Sequence, residues 1–268
     1  MGQELTDSEK QKLVAALYLN KLYAPALAEL SLRVVESITD ESQRNLSFLT
    51  LIDYLAAHGN LSLADEIARH RLNGYHRAAA FAGLGIASAS VDSDRAQAYL
   101  VDAESFLKQT NDPDDRTTLL HRIAQGYSRL RMWEKAEEMA GQVGQAQDRA
   151  FTLCGLLEDL WNAGESERAG RLLLAARQSV TETSLNEKAS VLDDLARVLV
   201  LMNRRSEAFE LWEEAVPSAE YAPESAKLLY LICKGLVSIG HQQRALEVAQ
   251  LIKNDARKAQ ALAAIGTR

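Results

Sequence analysis

Leu120 to Arg149 reads LHRIAQGYSRLRMWEKAEEMAGQVGQAQDR, and this stretch decides the fold. Apolar or small residues at Leu120, Ile123, Ala124, Tyr127 and Leu130 recur at helical spacing and make one stripe. A break falls at Arg131-Met132, and a second stripe runs through Trp133, Ala136, Met139, Ala140 and Val143. Two amphipathic stripes separated by a short break predict a helical hairpin.

The same unit recurs along the chain. Ala136 lies five residues after the break, and Ala26, Ala64, Ala96, Ala169, Ala208 and Ala245 occupy matching positions. Their successive spacings, with Ala136 included, are 38, 32, 40, 33, 39 and 37 residues. The residues five before these alanines are Lys21, Gly59, Val91, Arg131, Gly164, Asn203 and Gly240, and four of the seven are Gly or Asn, as a helix C-terminus prefers. A two-helix unit of this length buries both faces only when neighbours stack on it, so the pattern predicts a helical solenoid. His76-Arg77-Ala78 and Asp148-Arg149-Ala150 stand at the same offset after Ala64 and Ala136, which suggests a duplicated pair of hairpins.

The repeat resembles the tetratricopeptide superfamily. Leu120, Ile123, Ala124 and Tyr127 match the family's first-helix positions, Gly59, Gly164 and Gly240 match its turn glycine, and the seven alanines match its second-helix alanine. The likeness is loose: Ile52, Leu84 and Leu157 stand where the family has a small first-helix residue, and the proline between units is missing. The resemblance implies one all-α domain over residues 1–268, a right-handed superhelix of seven hairpins plus a final helix.

Both ends carry their own signals. Thr6-Asp7-Ser8-Glu9 fits a capping box and predicts the start of the first helix. Asp255 to Ile265 reads as one more first helix, which either caps the last hairpin or leads into a longer chain.

Composition narrows the function. The chain has 268 residues, of which 47% are hydrophobic, with 4 Pro, 14 Gly and no Gly/Ser-rich or Pro-rich stretch; one continuous body follows. Thirty Lys and Arg against 37 Asp and Glu give a net charge of −7, interleaved, with no run of basic residues longer than two, which disfavours nucleic acid. No stretch is long and apolar enough for a membrane span, and the opening MGQELTDSEK lacks a signal-peptide core, so a cytoplasmic location is expected. Cys154 and Cys233 sit in apolar helical segments two units apart and read as core thiols.

No catalytic signature is found: HExxH, paired CxxC, GxSxG and the phosphate loop are all missing from the sequence. Gly83-Leu84-Gly85 lies inside an alanine-rich helical run and reads as close helix packing. The histidines show no metal-ligand spacing, since His70 and His76 fall on opposite sides of a continuous helix. Acidic clusters such as Asp193-Asp194 could hold a divalent cation through waters, but adjacent helical residues point to different sides of the helix. The chain is therefore expected to be non-enzymatic, with no cofactor and no metal.

The resemblance also implies where a partner binds. In the family, first helices line a concave groove, and the matching positions here are Asp53; His121, Arg122, Gln125 and Arg129; Glu158, Trp161 and Asn162; Asp193, Asp194 and Arg197; and Lys227, Tyr230 and Lys234. Phe81, Ala82, Gly85, Ser88 and Ala89 should make the third unit's groove small and apolar. Charges of both signs beside Trp161 and Tyr230 suit a protein or peptide partner, and equally suit a solvated helix face. Trp133 and Trp212 take core positions. The implied function is a scaffold or adaptor that binds a polypeptide segment. The alternative is a homo-oligomer assembled through terminal helices, with Leu262 and Ile265 as an apolar end.

Overall fold

A computed structural model of the chain describes residues 5–19 and 25–266. Among these residues the only regular elements are fifteen α-helices. The chain divides into two compact units, Met1–Met139 and Ala140–Arg268.

In the first unit α1 (Asp7–Leu19), α3 (Glu41–Ala57), α5 (Gly74–Ser88) and α7 (Pro113–Arg129) pack each on the next, while α2 (Pro25–Glu36), α4 (Leu61–Arg71) and α6 (Ser93–Ser105) pack against the helix before and the helix after. Helix α8 (Trp133–Gly141) follows α7. The second unit repeats the scheme: α9 (Ala146–Asn162), α11 (Leu185–Leu201), α13 (Ser225–Ser238) and α15 (Asp255–Gly266) pack consecutively, with α10 (Ser166–Glu182), α12 (Arg205–Tyr221) and α14 (Gln242–Gln250) alongside. Stacked hairpins are thus present within each unit. Helix α15 lies on α13 and α14 and buries Ala261 and Ile265 there, while Leu262 stays exposed.

The repeat alanine has one structural position. Ala64, Ala96, Ala136, Ala169, Ala208 and Ala245 are each the fourth residue of an even-numbered helix and are fully buried. A methyl group there lets the two helices of a hairpin approach closely, and any larger side chain would overpack the contact. The side chain of Ala26, like the turn position Lys21, falls outside the described residues.

Five of the hairpin turns share one backbone design. Gly59, Arg131, Gly164, Asn203 and Gly240 all take the left-handed conformation, with φ of 79°, 56°, 83°, 58° and 92°. The following N–H then reaches back five residues: Asn60 to Leu55, Met132 to Tyr127, Glu165 to Leu160, Arg204 to Leu199 and His241 to Leu236, at 2.8–2.9 Å. This closes the carbonyls that a helix end leaves open and starts the next helix at once. Val91 departs from the set. Its N–H and that of Asp92 both donate to the Ser88 carbonyl, a different turn that tolerates a β-branched residue.

A second device joins successive hairpins and was only half visible in the sequence. Arg44, Arg77, Arg116, Arg149 and Lys258 are each the fourth residue of an odd-numbered helix. Each donates to carbonyls at the end of the preceding hairpin: Ile38, Leu72, Leu107, Val143 with Gly144, and Gln250, respectively. A cation at a helix C-terminus satisfies orphan acceptors and opposes the helix dipole. The Arg77/Arg149 equivalence noted in the sequence is one instance of this clamp.

The helix starts are sequence-encoded. At α1 the Thr6 N–H donates to Glu9 Oε2 at 2.8 Å and the Glu9 N–H returns to Thr6 Oγ1 at 3.3 Å, the expected capping box. Asp40, Asn60, Asp92 and Asp112 cap α3, α4, α6 and α7, with Pro113 at the first position of α7. Cys154 and Cys233 are free and buried, and burial pushes both thiols up to about 12. A thiol raised that far holds almost no thiolate, the nucleophilic form, at neutral pH.

Candidate functional site

Each unit carries a concavity on its odd-numbered helices. In the first unit it measures about 510 Å³ and is lined by Asp53, Ala56 and Ala57 of α3, Gly83, Ile86 and Ala87 of α5, and Arg122 and Gln125 of α7. Arg122 Nη2 donates to Asp53 Oδ1 at 3.2 Å, so a pair from α3 and α7 bridges the intervening α5. The bridge lies directly over Gly83, where an added Cβ would come within 2.5 Å of Arg122 Nη2 and 2.9 Å of Asp53 Oδ1. Partial burial raises the Asp53 carboxyl above its ordinary value, and the guanidinium partly offsets this.

Three predicted residues, Asp53, Arg122 and Gln125, therefore meet here. The expected apolar patch of the third unit does not. Phe81, Ala82, Gly85 and Ser88 are buried, and Gly85 packs against Leu100, where an added Cβ would come within 2.7 Å of Leu100 Cδ2. The groove face of α5 is Gly83, Ile86 and Ala87 instead. The difference is one of phase: beyond Arg77, α5 is apolar or small all round, so periodicity does not say which stripe faces out.

The concavity of the second unit is larger, about 610 Å³, and spans α9, α11 and α13. Phe151, Cys154, Gly155 and Glu158 come from α9, Asp194, Arg197, Val198 and Leu201 from α11, and Leu231, Lys234, Gly235 and Ser238 from α13. Trp212 of α12 lies beneath the floor and is fully buried. Its indole fills the space that Gly235 leaves, since a Cβ on Gly235 would collide with the ring.

Charges around this groove fall into two kinds. The α11 charges are engaged with one another: Trp212 Nε1 donates to Asp193 Oδ1 at 2.8 Å, Arg197 Nε lies 3.4 Å from Asp193 Oδ2, and Arg197 also pairs with Asp194. Desolvation raises the Asp193 carboxyl, while the indole N–H and Arg197 pull it back down. Asp193 is thus a buried structural acceptor rather than a groove residue, at 2% exposure. Glu158 and Lys234, by contrast, are exposed and have no ion-pair partner among the described residues.

Of the predicted residues, Glu158, Asp194, Arg197 and Lys234 line this groove. Trp161, half-buried, and Asn162, exposed, sit at the end of α9, and His121 and Arg129 are exposed on α7; none of the four lines either concavity. Tyr230 is half-buried on α13, with Lys234 Nζ 5.8 Å and Arg257 Cζ 5.6 Å from its ring centroid. Lys227 pairs with Glu224 at 2.6 Å. The groove's apolar wall of Phe151, Val198 and Leu231 carries no sequence signal of its own, because an apolar residue on an apolar helix is not distinguished from core by periodicity.

Among the described residues no group of three or more His, Cys, Asp or Glu converges as metal ligands, and no helix is long and apolar enough to cross a membrane. His70 and His76 lie on separate helices, because α4 ends at Arg71 and α5 begins at Gly74.

No protein-family model matches the chain, and no curated protein sequence matches it. Among solved structures, Ton1535 from Thermococcus onnurineus NA1 is similar at 14% identity, with the match covering 97% of this chain and 81% of that one at a TM-score of 0.31. A likeness that loose carries no argument about arrangement or function.

Proposed function

We propose that the chain is a non-enzymatic, tetratricopeptide-like scaffold of the cytoplasm that binds a polypeptide segment in the groove of its second unit. One observation carries this reading: the concavity over α9, α11 and α13 combines apolar walls with charged groups, Glu158 and Lys234, that have no ion-pair partner among the described residues. Internal pairing explains Asp193, Asp194 and Arg197, but no carboxylate or cation among the described residues pairs with Glu158 or Lys234, and Lys234 lies beside the Tyr230 ring. Apolar surface flanked by free charges is the composition of a recognition groove, where the apolar part supplies affinity and the charges set register. The right-handed superhelix belongs to the same proposal, with stacked odd-numbered helices as its support.

The test exploits Gly155. It is exposed on α9, and a Cβ built there meets nothing within 4 Å, so a large side chain projects into the groove without disturbing the core. Gly155→Trp is expected to keep the helical content and abolish capture of polypeptide partners from the native cytosol. Capture unchanged in a folded variant contradicts the groove assignment. A second reading, assembly through the terminal helix, has less support, because Ile265 is already buried on α13 and α14 and Leu262 is the one large apolar side chain described on α15 that stays exposed.

A further inference from the structure

The unpaired charges on the two sides of the second unit's groove differ in sign. At the α9 end Glu158 stands exposed without an ion-pair partner. On the α13 side Lys234 lines the concavity, and just beyond the lining residues Lys234 Nζ and Arg257 Cζ lie 5.8 Å and 5.6 Å from the Tyr230 ring centroid. Arg257 bonds only to neutral groups, its side chain donating to Gln260 Oε1 at 3.0 Å and its backbone N–H to Asn254 Oδ1 at 2.9 Å. The α11 charges between the two ends hold one another. Among the described residues, Glu158 on the α9 side and Lys234 and Arg257 beside the Tyr230 ring on the other have no ion-pair partner.

From this charge complementarity, and resting on the groove reading above, we infer that the occupant is an extended peptide segment with a basic side chain over Glu158, an apolar side chain in the central concavity, and a carboxylate side chain between Lys234 and Arg257. The apolar residue packs against Phe151, Val198 and Leu231. Its flanking charges replace water around protein charges that have no ion-pair partner among the described residues, so their binding breaks no ion pair seen there. Spacing follows from the helices. Adjacent packed helices stand about 8–10 Å apart, which puts α9 and α13 about 16–20 Å apart. An extended chain at about 3.3 Å per residue crosses that in about five or six residues. A peptide with all its charges of one sign meets repulsion at one end of the groove.

The test uses a displayed library of random nine-residue peptides, selected on the folded protein and counter-selected on Gly155→Trp, which blocks the groove sterically. The expected winners carry Lys or Arg and Asp or Glu about five residues apart, bracketing a large apolar residue. Synthetic winners should lose at least tenfold in affinity to the double variant Lys234→Glu, Arg257→Glu and at least threefold to Glu158→Lys, and Asp→Asn in the peptide should remove most of the effect of the double variant. Winners sensitive to Gly155→Trp but without the two-sign pattern, or insensitive to both charge reversals, overturn the polarity and leave the groove reading standing. If no selected peptide discriminates wild type from Gly155→Trp, both fall. Circular dichroism on each variant separates loss of binding from loss of fold.

Discussion

Trp212 donates its indole N–H to Asp193 across 2.8 Å, and both residues are buried, one on α12 and one on α11. This bond fixes the layer under the larger groove. Trp212→Phe leaves a buried carboxylate with Arg197 as its remaining partner and should cost about 1–3 kcal/mol from the lost hydrogen bond alone. Asp193→Asn keeps an acceptor for the indole and should cost less. Chemical denaturation of the two variants checks the order.

The same carboxylate gives stability a pH dependence of known sign. Because its folded pKa is raised, the native state holds the proton more tightly than the unfolded chain, so this group's contribution falls as pH rises from the ordinary carboxylate range through the folded value. Asp7 acts in the opposite sense. Its Oδ2 accepts from Thr39 Oγ1 at 2.6 Å and from the N–H groups of Thr39 and Asp40 at 3.0 Å, and its pKa is lowered to about 2. The stability Asp7 supplies is present above pH about 4 and lost as pH falls towards 2. Urea titrations from pH 2 to 7 should therefore show Asp193→Asn gaining relative to wild type towards neutral pH and Asp7→Asn losing there.

Arg131 occupies a left-handed turn that glycine fills at three equivalent positions. A side chain in that conformation costs about 1 kcal/mol, so Arg131→Gly should stabilise the protein by about that amount. Asn203→Gly should gain less, since asparagine tolerates the conformation better. Thermal melts of the two single variants test the ranking.

The recurring clamp predicts a shared cost. Arg149 donates to the Val143 and Gly144 carbonyls at 3.1 Å, to Ser179 Oγ at 3.1 Å, and pairs with Glu182. Arg149→Ala should cost about 1–3 kcal/mol, because several partly buried acceptors lose a charged donor together. Arg77→Ala removes the one side-chain bond seen there, to Leu72 at 2.7 Å, and should cost less.

The all-helical hairpins were legible in the sequence because Ala136 and its equivalents sit at one geometrically demanding position, where size is constrained and composition repeats. Helix starts were legible where a short polar side chain caps them, as at Thr6. The groove was legible only in part. Glu158, Arg197 and Lys234 stand out as polar residues on apolar helices, but the burial of Asp193 follows from Trp212, nineteen residues away in sequence, whose indole N–H it accepts. The Asp53–Arg122 pair spans 69 residues, and only the glycine between them on α5 lets them meet. Pairings of that range depend on how hairpins stack, which a single sequence does not state.

Site-specific photo-crosslinking from position 155 tests the central claim most directly. Gly155 on α9 is replaced by a benzoyl-phenylalanine, with the same group at Arg171 on the exposed face of α10 as the comparison. The account predicts discrete polypeptide adducts in native cytosol from position 155, lost on adding excess unlabelled protein, and none from position 171. Adducts from position 171 alone, or equal labelling from both, would contradict a binding groove over α9, α11 and α13.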